Sequence, residues 1–221
     1  MFVVEDAPKS MVAESYKSLR TNLQYSSFDS NNKVIVITSS KEGEGKSTVA
    51  GNLSLALAQD EKNVIIVDCD LRRPSLHKKF FISNIKGLSD IIVNNEDIDN
   101  VLNQYNDNLS IITSGKIPPN PSEMIGSKAM KYLIQTLKKS FDYVILDTPP
   151  VIAVTDAQIL SNIADGVLLV IKAGSTKKQS VTNAISALKK VNANILGMVL
   201  NMANITKDSY YYGNEKHQYL K

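Results

Sequence analysis

Val34-Ile35-Val36-Ile37-Thr38-Ser39-Ser40-Lys41-Glu42-Gly43-Glu44-Gly45-Lys46-Ser47-Thr48 passes from an apolar β-type run into a glycine-rich turn. A stretch with Val49, Leu53 and Leu57 at helical spacing follows. The reading is strand Lys33–Thr38, loop, then helix Ser47–Gln59. Gly43 and Gly45 let the backbone turn so that its N–H groups face inward. Those groups and the N-terminus of the following helix form a site for an anion. The usual phosphate-loop pattern has glycine at position 40, where this chain has Ser40; the Gly45-Lys46-Ser47 core is intact.

A loop of this kind binds ATP with Mg²⁺. Gly43, Glu44, Gly45, Lys46, Ser47 and Thr48 are the expected nucleotide contacts. Lys46 reaches the β- and γ-phosphates, and the Ser47 hydroxyl ligates Mg²⁺. Lys41 is a second lysine five positions earlier. Either it is an exposed loop charge, or it offsets charge developing on the γ-phosphate.

Working outward, apolar β-rich runs alternate with helix-like stretches. Further strands are expected at Asn63–Asp68, Leu109–Thr113, Tyr143–Asp147, Gly166–Ile171 and Ile195–Asn201. Helices are expected at Ser10–Ser26, Ser127–Ser140, Thr155–Ala164 and Lys177–Val191. The strands are mostly continuous Val/Ile/Leu runs, as in a parallel sheet covered on both faces. The expected fold is therefore α/β: a P-loop NTPase fold with a mostly parallel central sheet and helices on both faces.

Two of these strands end in carboxylates. Asn63–Asp68 runs into Asp68-Cys69-Asp70-Leu71-Arg72-Arg73-Pro74, and Tyr143–Asp147 into Asp147-Thr148-Pro149-Pro150. Ligands of open parallel sheets bind beyond the carboxyl ends of the strands. Mg²⁺ needs only one or two carboxylates and keeps several waters. Asp147 is the expected metal ligand. A further aspartate remains to take a proton from an incoming hydroxyl. Asp68 and Asp70 are alternate residues and share one face if the strand continues.

The 221 residues include one cysteine, Cys69, which precludes an intramolecular disulfide framework and fits a reducing compartment. A net charge of +3 without a Lys/Arg block gives no footprint for nucleic acid. No secretory signal or bilayer-spanning run is legible, so an association with a membrane is expected to go through a partner. Four of the nine tyrosines (Tyr210, Tyr211, Tyr212 and Tyr219) fall in the last twelve residues, without the apolar partners a docked segment would need. The chain is thus read as a 1–206 kinase-type domain with a flexible tail, 207–221, of phosphate-accepting phenols.

Together these residues resemble the bacterial tyrosine kinases that control capsular and exopolysaccharide synthesis. The resemblance rests on the Lys41–Thr48 loop, on Ile66–Pro74 as a Walker A′ motif and on Ile145–Pro150 as Walker B. It extends to the segment Ser114–Glu123 and to the tyrosine cluster. It implies that Lys46 and Ser47 hold phosphate and metal, that Asp147 holds Mg²⁺, and that Asp68 acts on the tyrosine hydroxyl. Asp70 would assist with the metal, and Lys41 would be the signature lysine. Glu14, Lys17 and Arg20 match an acidic–basic–basic subunit-contact motif, with lysine at 17 where the family usually has arginine. The resemblance further implies a ring-like homo-oligomer and autophosphorylation of the chain's own or a neighbour's tail, with other proteins also as substrates. The chain would be cytoplasmic, recruited to the inner face of the membrane by a chain-length regulator that activates it. The alternatives are a partitioning or cell-division ATPase of the same deviant Walker class, and a nucleotide-dependent scaffold without chemistry. The former would read Lys-Gly-Gly where this chain has Lys41-Glu42-Gly43.

Overall fold

The apolar runs assemble into one sheet. The computed structural model describes residues 2–26 and 32–204. Its strands are β1 (Val34–Ser39), β2 (Val64–Asp68), β3 (Asn103–Asn106), β4 (Leu109–Ile112), β5 (Tyr143–Asp147), β6 (Gly166–Lys172) and β7 (Ile195–Asn201). They lie in the order β3-β4-β2-β5-β1-β6-β7. Every pairing is parallel except that of β3 with β4. β1, β2 and β5 are buried along their whole length, which explains their unbroken apolar character.

Alternate residues of these strands enter two separate cores. Ile35, Ile37, Ile66 and Ile145 face one; Val34, Val36, Ile65 and Leu146 face the other. The first is covered by α1 (Val3–Asp6), α2 (Met11–Ser26) and α3 (Lys46–Ala58). The second is covered chiefly by α7 (Lys128–Ser140), α8 (Asp156–Ser161) and α9 (Lys178–Lys190). Three short helices complete the chain order: α4 (Leu76–Lys79), α5 (Leu88–Asn94) and α6 (Pro121–Ile125). Among the described residues no helix is long and apolar enough to cross a membrane.

All six expected strands form, and the five expected helices form with shifted ends. The sequence pattern does not show α1, α4, α5, α6 or β3. The helices among them have four to seven residues, too few to display a period. β3, Asn-Gln-Tyr-Asn, is a polar edge strand held by its partner rather than by burial. The tail tyrosines Tyr210, Tyr211, Tyr212 and Tyr219 lie outside the described residues.

The N-terminal segment is packed on α3. Phe2 is buried against Phe80, with ring centroids 4.4 Å apart. The Val4 N–H donates to Asn52 Oδ1 at 3.1 Å, and Gln59 Nε2 donates to the Val4 carbonyl at 3.3 Å. Gly51 makes room for this, since a Cβ there would lie 2.1 Å from the Phe2 ring. Gly51→Ala should therefore cost about 1–3 kcal/mol by expelling Phe2. Deleting residues 1–9 should remove most of the difference between the wild-type and Gly51→Ala chains in a denaturant titration. An undiminished difference would place the cost within α3 itself.

Candidate active site

The loop between β1 and α3 takes its shape from two glycines with positive φ, Gly43 at 77° and Gly45 at 87°. Lys46 opens the 13-residue helix α3, so the expected anion site stands at the N-terminus of a full helix. Glu44, expected to contact nucleotide, has its side chain turned back into the loop. Its carboxylate accepts from the Ser40 N–H at 2.7 Å, the Lys41 N–H at 2.9 Å and the Ser40 hydroxyl at 3.0 Å, and also from the Thr176 hydroxyl. The Glu44 side chain thus braces the loop, and only its backbone is left to meet a phosphate. Asn201, at the end of β7, donates to the Glu44 carbonyl at 3.0 Å. A Cβ on Gly45 would sit 2.1 Å from that Asn201 nitrogen. The sequence does not announce either contact: Asn201 reads only as the last residue of the strand Ile195–Asn201, and Thr176 as a loop residue beyond the strand Gly166–Ile171.

Parallel pairing of β2 with β5 sets Asp68 directly beside Asp147. Both are fully buried. Burial raises the pKa of both; for Asp68 the Asp147 charge raises it further, while Lys46 partly offsets the rise at Asp147. Asp68 is fastened to the loop after β2: it accepts from Asp70 N–H at 3.2 Å and from Ser75 and Leu76 N–H at 3.0 Å each. Asp147 is the opposite case. Neither of its carboxylate oxygens has a hydrogen-bond partner. The Ser47 hydroxyl faces it and lowers its pKa without making a well-formed hydrogen bond. A buried, unpartnered carboxylate beside a hydroxyl at a phosphate loop is an oxygen donor set that fits a divalent cation.

Lys46 Nζ pairs with Asp70 Oδ2 at 3.0 Å. Burial depresses its pKa, but Asp147, Asp70 and Asp68 outweigh that, so Lys46 stays charged. Asp70 also accepts from the Arg73 N–H at 3.0 Å. Lys46 and Asp70 line a cavity of about 250 Å³ with Arg72, Arg73, Pro150 and Val154 among the other walls. At its mouth Arg73 is ion-paired with Glu42 of the loop. Lys79, unexpected from the sequence, donates to the Thr48 hydroxyl at 3.0 Å. Lys41 is exposed, and its side chain has no partner among the described residues, so it does not join the cluster around Lys46.

The helix-contact triad is partnered within the chain. Glu14 and Lys17 pair with each other at 2.6 Å, and Lys17 also donates to the Pro8 carbonyl. Arg20 donates to the Ala56 carbonyl at 3.1 Å and lies 3.4 Å from Asp60, tying α2 to α3. Between α2 and β7 runs a groove of about 630 Å³. It reaches Asn201, and the partly exposed Val12, Met198, Leu200 and Met202 lie along it.

A strand–loop–helix phosphate cradle facing two strand-end aspartates defines a P-loop nucleoside triphosphatase. Residues 30–218 match a family model described as NUBPL iron-transfer P-loop NTPase, which gives the same class. Finer placement comes from individual proteins. The chain is 42% identical over 205 residues to tyrosine-protein kinase YwqD of Bacillus subtilis (strain 168), covering 92% of this chain and 86% of that one. The crystal structure of the chimerical protein CapA2B2 matches with a TM-score of 0.86 and 38% identity, over 90% of this chain and 88% of that one. The kinase domain of Escherichia coli tyrosine kinase ETK matches with a TM-score of 0.87 and 30% identity, over 93% and 83%. The chain belongs to the bacterial tyrosine-protein kinases. The partitioning-ATPase alternative shares the fold but not these relatives.

Proposed function

We propose that this kinase transfers the γ-phosphoryl group of ATP to tyrosine hydroxyls, its own tail cluster Tyr210, Tyr211, Tyr212 and Tyr219 among them. The observation that carries the reading is the orphaned, buried Asp147 carboxylate beside Ser47 and Lys46. Ser47 and Asp147 would hold Mg²⁺, which neutralises charge on the phosphates and orients them. The backbone of Gly43–Thr48 and the Lys46 ammonium grip the β- and γ-phosphates. On nucleotide binding Lys46 exchanges Asp70 for phosphate, freeing a carboxylate that already lines the cavity. The phenolic proton passes to the Asp68–Asp70 pair, of which Asp70 faces the cavity and Asp68 holds the loop. Lys41, exposed and without a side-chain partner, is free to reach the γ-phosphate bound by its own or an adjoining subunit.

The names of the relatives support a role in capsular or exopolysaccharide synthesis. We further infer activation by a membrane-embedded chain-length regulator that draws the kinase to the inner face of the membrane. The exposed apolar side chains of the α2–β7 groove, beside Glu14 and Lys17, support a protein contact there in a homo-oligomer.

The test mixes a Lys46→Met chain carrying the intact tail with an active chain whose four tail tyrosines are phenylalanine. With ATP and Mg²⁺, phosphotyrosine should appear on the inactive chain. If only an intact active chain labels itself, at a rate independent of concentration, transfer between subunits is wrong. If no chain gains phosphotyrosine, with or without an activator fragment, the kinase assignment itself fails.

A further inference from the structure

Arg72 is held in a way that its neighbour Arg73 is not. Its Nε donates to Asp156 Oδ2 at 3.1 Å, and its Nη2 donates to Ser122 Oγ at 2.9 Å and to Asp156 Oδ1 at 3.4 Å. Ser122 in turn donates to Asp156 Oδ1 at 2.6 Å. Asp156 is fully buried at the start of α8. A buried carboxylate is strongly destabilising unless a cation and hydrogen bonds satisfy it. Here the requirement is met by one arginine and one hydroxyl, so the guanidinium has a single favourable position. Ser122 lies in the Ser114–Glu123 segment, whose presence the phosphate loop and the strand-end aspartates do not explain.

This arrangement leaves Arg72 Nη1 without a hydrogen bond among the described residues, and Arg72 lines the cavity that holds Lys46 and Asp70. The cavity has two kinds of wall. Lys46, Asp70 and Arg72 are charged; Pro149, Pro150, Ala153 and Val154 are apolar. A phenol is amphipathic in the same sense, with an apolar ring and a polar oxygen. An incoming tyrosine can lay its ring on the proline–valine side and its oxygen toward Lys46 and Arg72.

We propose that Arg72 is the acceptor-side cation of the reaction, with Asp156 and Ser122 as its positioning residues; this rests on the tyrosine-kinase reading above. As the tyrosine oxygen bonds to Pγ, the bond from Pγ to the β–γ bridging oxygen breaks, and its electron pair leaves with ADP. The phenolic proton goes to the Asp68–Asp70 pair. The transferred phosphoryl group moves away from Lys46 toward the phenol, and the free Nη1 of Arg72 meets its equatorial oxygens there. A donor already fixed where charge arrives does not have to reorganise during the transfer. Lysine cannot replace it, because it cannot bind Asp156 and Ser122 through two nitrogens and present a third.

The experiment uses the full chain with ATP, Mg²⁺ and a tyrosine peptide, and compares wild type with Arg72→Lys, Asp156→Asn, Ser122→Ala and the Arg72→Lys/Asp156→Asn double variant. Expected for Arg72→Lys is a fall in phosphotyrosine formation on the order of 100-fold. Binding of a fluorescent ADP analogue should change by less than about threefold, because the contact forms on the acceptor side. Asp156→Asn should slow transfer in the wild-type background and cost nothing further in the Arg72→Lys background, since it acts through Arg72. Ser122→Ala, the mildest change, keeps the Arg72–Asp156 pair and should give a smaller loss of transfer with a modest fall in melting temperature, since Asp156 loses one donor. Wild-type rates in Arg72→Lys, or equal losses of ADP affinity and transfer, would overturn the proposal and leave the kinase reading standing. So would an Asp156→Asn penalty of the same size in both backgrounds, which marks a purely structural role. A wild-type chain that yields no phosphotyrosine overturns both readings.

Discussion

Asp147→Asn should reduce phosphoryl transfer on the order of a thousandfold and, in the absence of metal, make the protein more stable at pH 8. The first effect follows from removing the carboxylate that best fits the divalent cation, whose contribution to transition-state charge is several kcal/mol. The second follows from the burial of that carboxylate with no well-formed hydrogen bond, the Ser47 hydroxyl offsetting only part of the cost. Burial is the main cause that pushes its pKa up, from 3.8 to about 6, and its charge pushes Asp68 higher still. A carboxyl whose folded pKa is raised adds stability that is fully present below its unfolded pKa. That stability is lost as pH rises through the folded value. Metal-free wild type should therefore lose stability from about pH 4 upward, and the loss should extend toward pH 8 because Asp68 titrates last, at about 8. The asparagine variant removes one of these charges and relieves the other. Its curve should be flatter and its melting temperature at pH 8 higher, by about 2–4 °C for each kcal/mol gained. Mg²⁺ should raise the wild-type melting temperature at pH 8 and leave the variant unmoved. A variant that melts lower than wild type at pH 8 without metal would show that Asp147 is satisfied in the folded protein.

Lys46→Met should lower transfer by two to three orders of magnitude, as expected for loss of a cation on the migrating phosphate. Read from the sequence, Lys46 is only a phosphate ligand, and its loss should leave the fold intact. The structure changes that expectation. Lys46 is the cation paired with Asp70, whose side chain is 6% exposed, and it is the nearest compensation for Asp147 and Asp68. Truncating one partner of a buried pair leaves the other charge uncompensated, at about 3 kcal/mol or more. The variant should fold, but with a clearly lower denaturation midpoint. Adding Asp70→Asn should restore much of that stability and none of the activity. If Lys46→Met is as stable as wild type, solvent rather than Lys46 balances Asp70. If the double variant regains no stability, the loss lies elsewhere than in the pair.

The two variants act on one trade. Asp68 and Asp147, once charged, destabilise the metal-free, nucleotide-free protein because they are kept dry and close together. On the proposed reading, that closeness readies the site for Mg²⁺ and a triphosphate. Stability given up at such a site is regained in the cores on either side, where β1, β2 and β5 are wholly buried.

Much of this was determined by local sequence. The strand, two glycines and Lys46-Ser47 specify a phosphate cradle wherever they occur together, because glycine dihedrals and a helix N-terminus are properties of a few neighbouring residues. The apolar runs likewise marked six strands: β1, β2, β4 and β5 are buried along their length and β6 along most of it, and such strands are largely apolar, while β7 at the sheet edge carries the same signal with partly exposed side chains. Glu44, by contrast, reads as one more loop residue facing the ligand, and only the folded chain turns it inward onto Ser40, Lys41 and Thr176. Nor does anything near position 72 announce that Arg72 is clamped by Asp156, 84 residues away, or that Asn201 closes on the loop from 157 residues away. Arg20, which on the helix surface reads as available to a neighbour, is taken by Ala56 and Asp60 of the same chain. Which side chain a charge meets depends on strand order and register, and those are set by how two whole cores close around one sheet. The kinds of group that make the site are therefore legible residue by residue, whereas their partners, and with them the roles of brace, clamp and free donor, exist only once the distant strand ends are brought together.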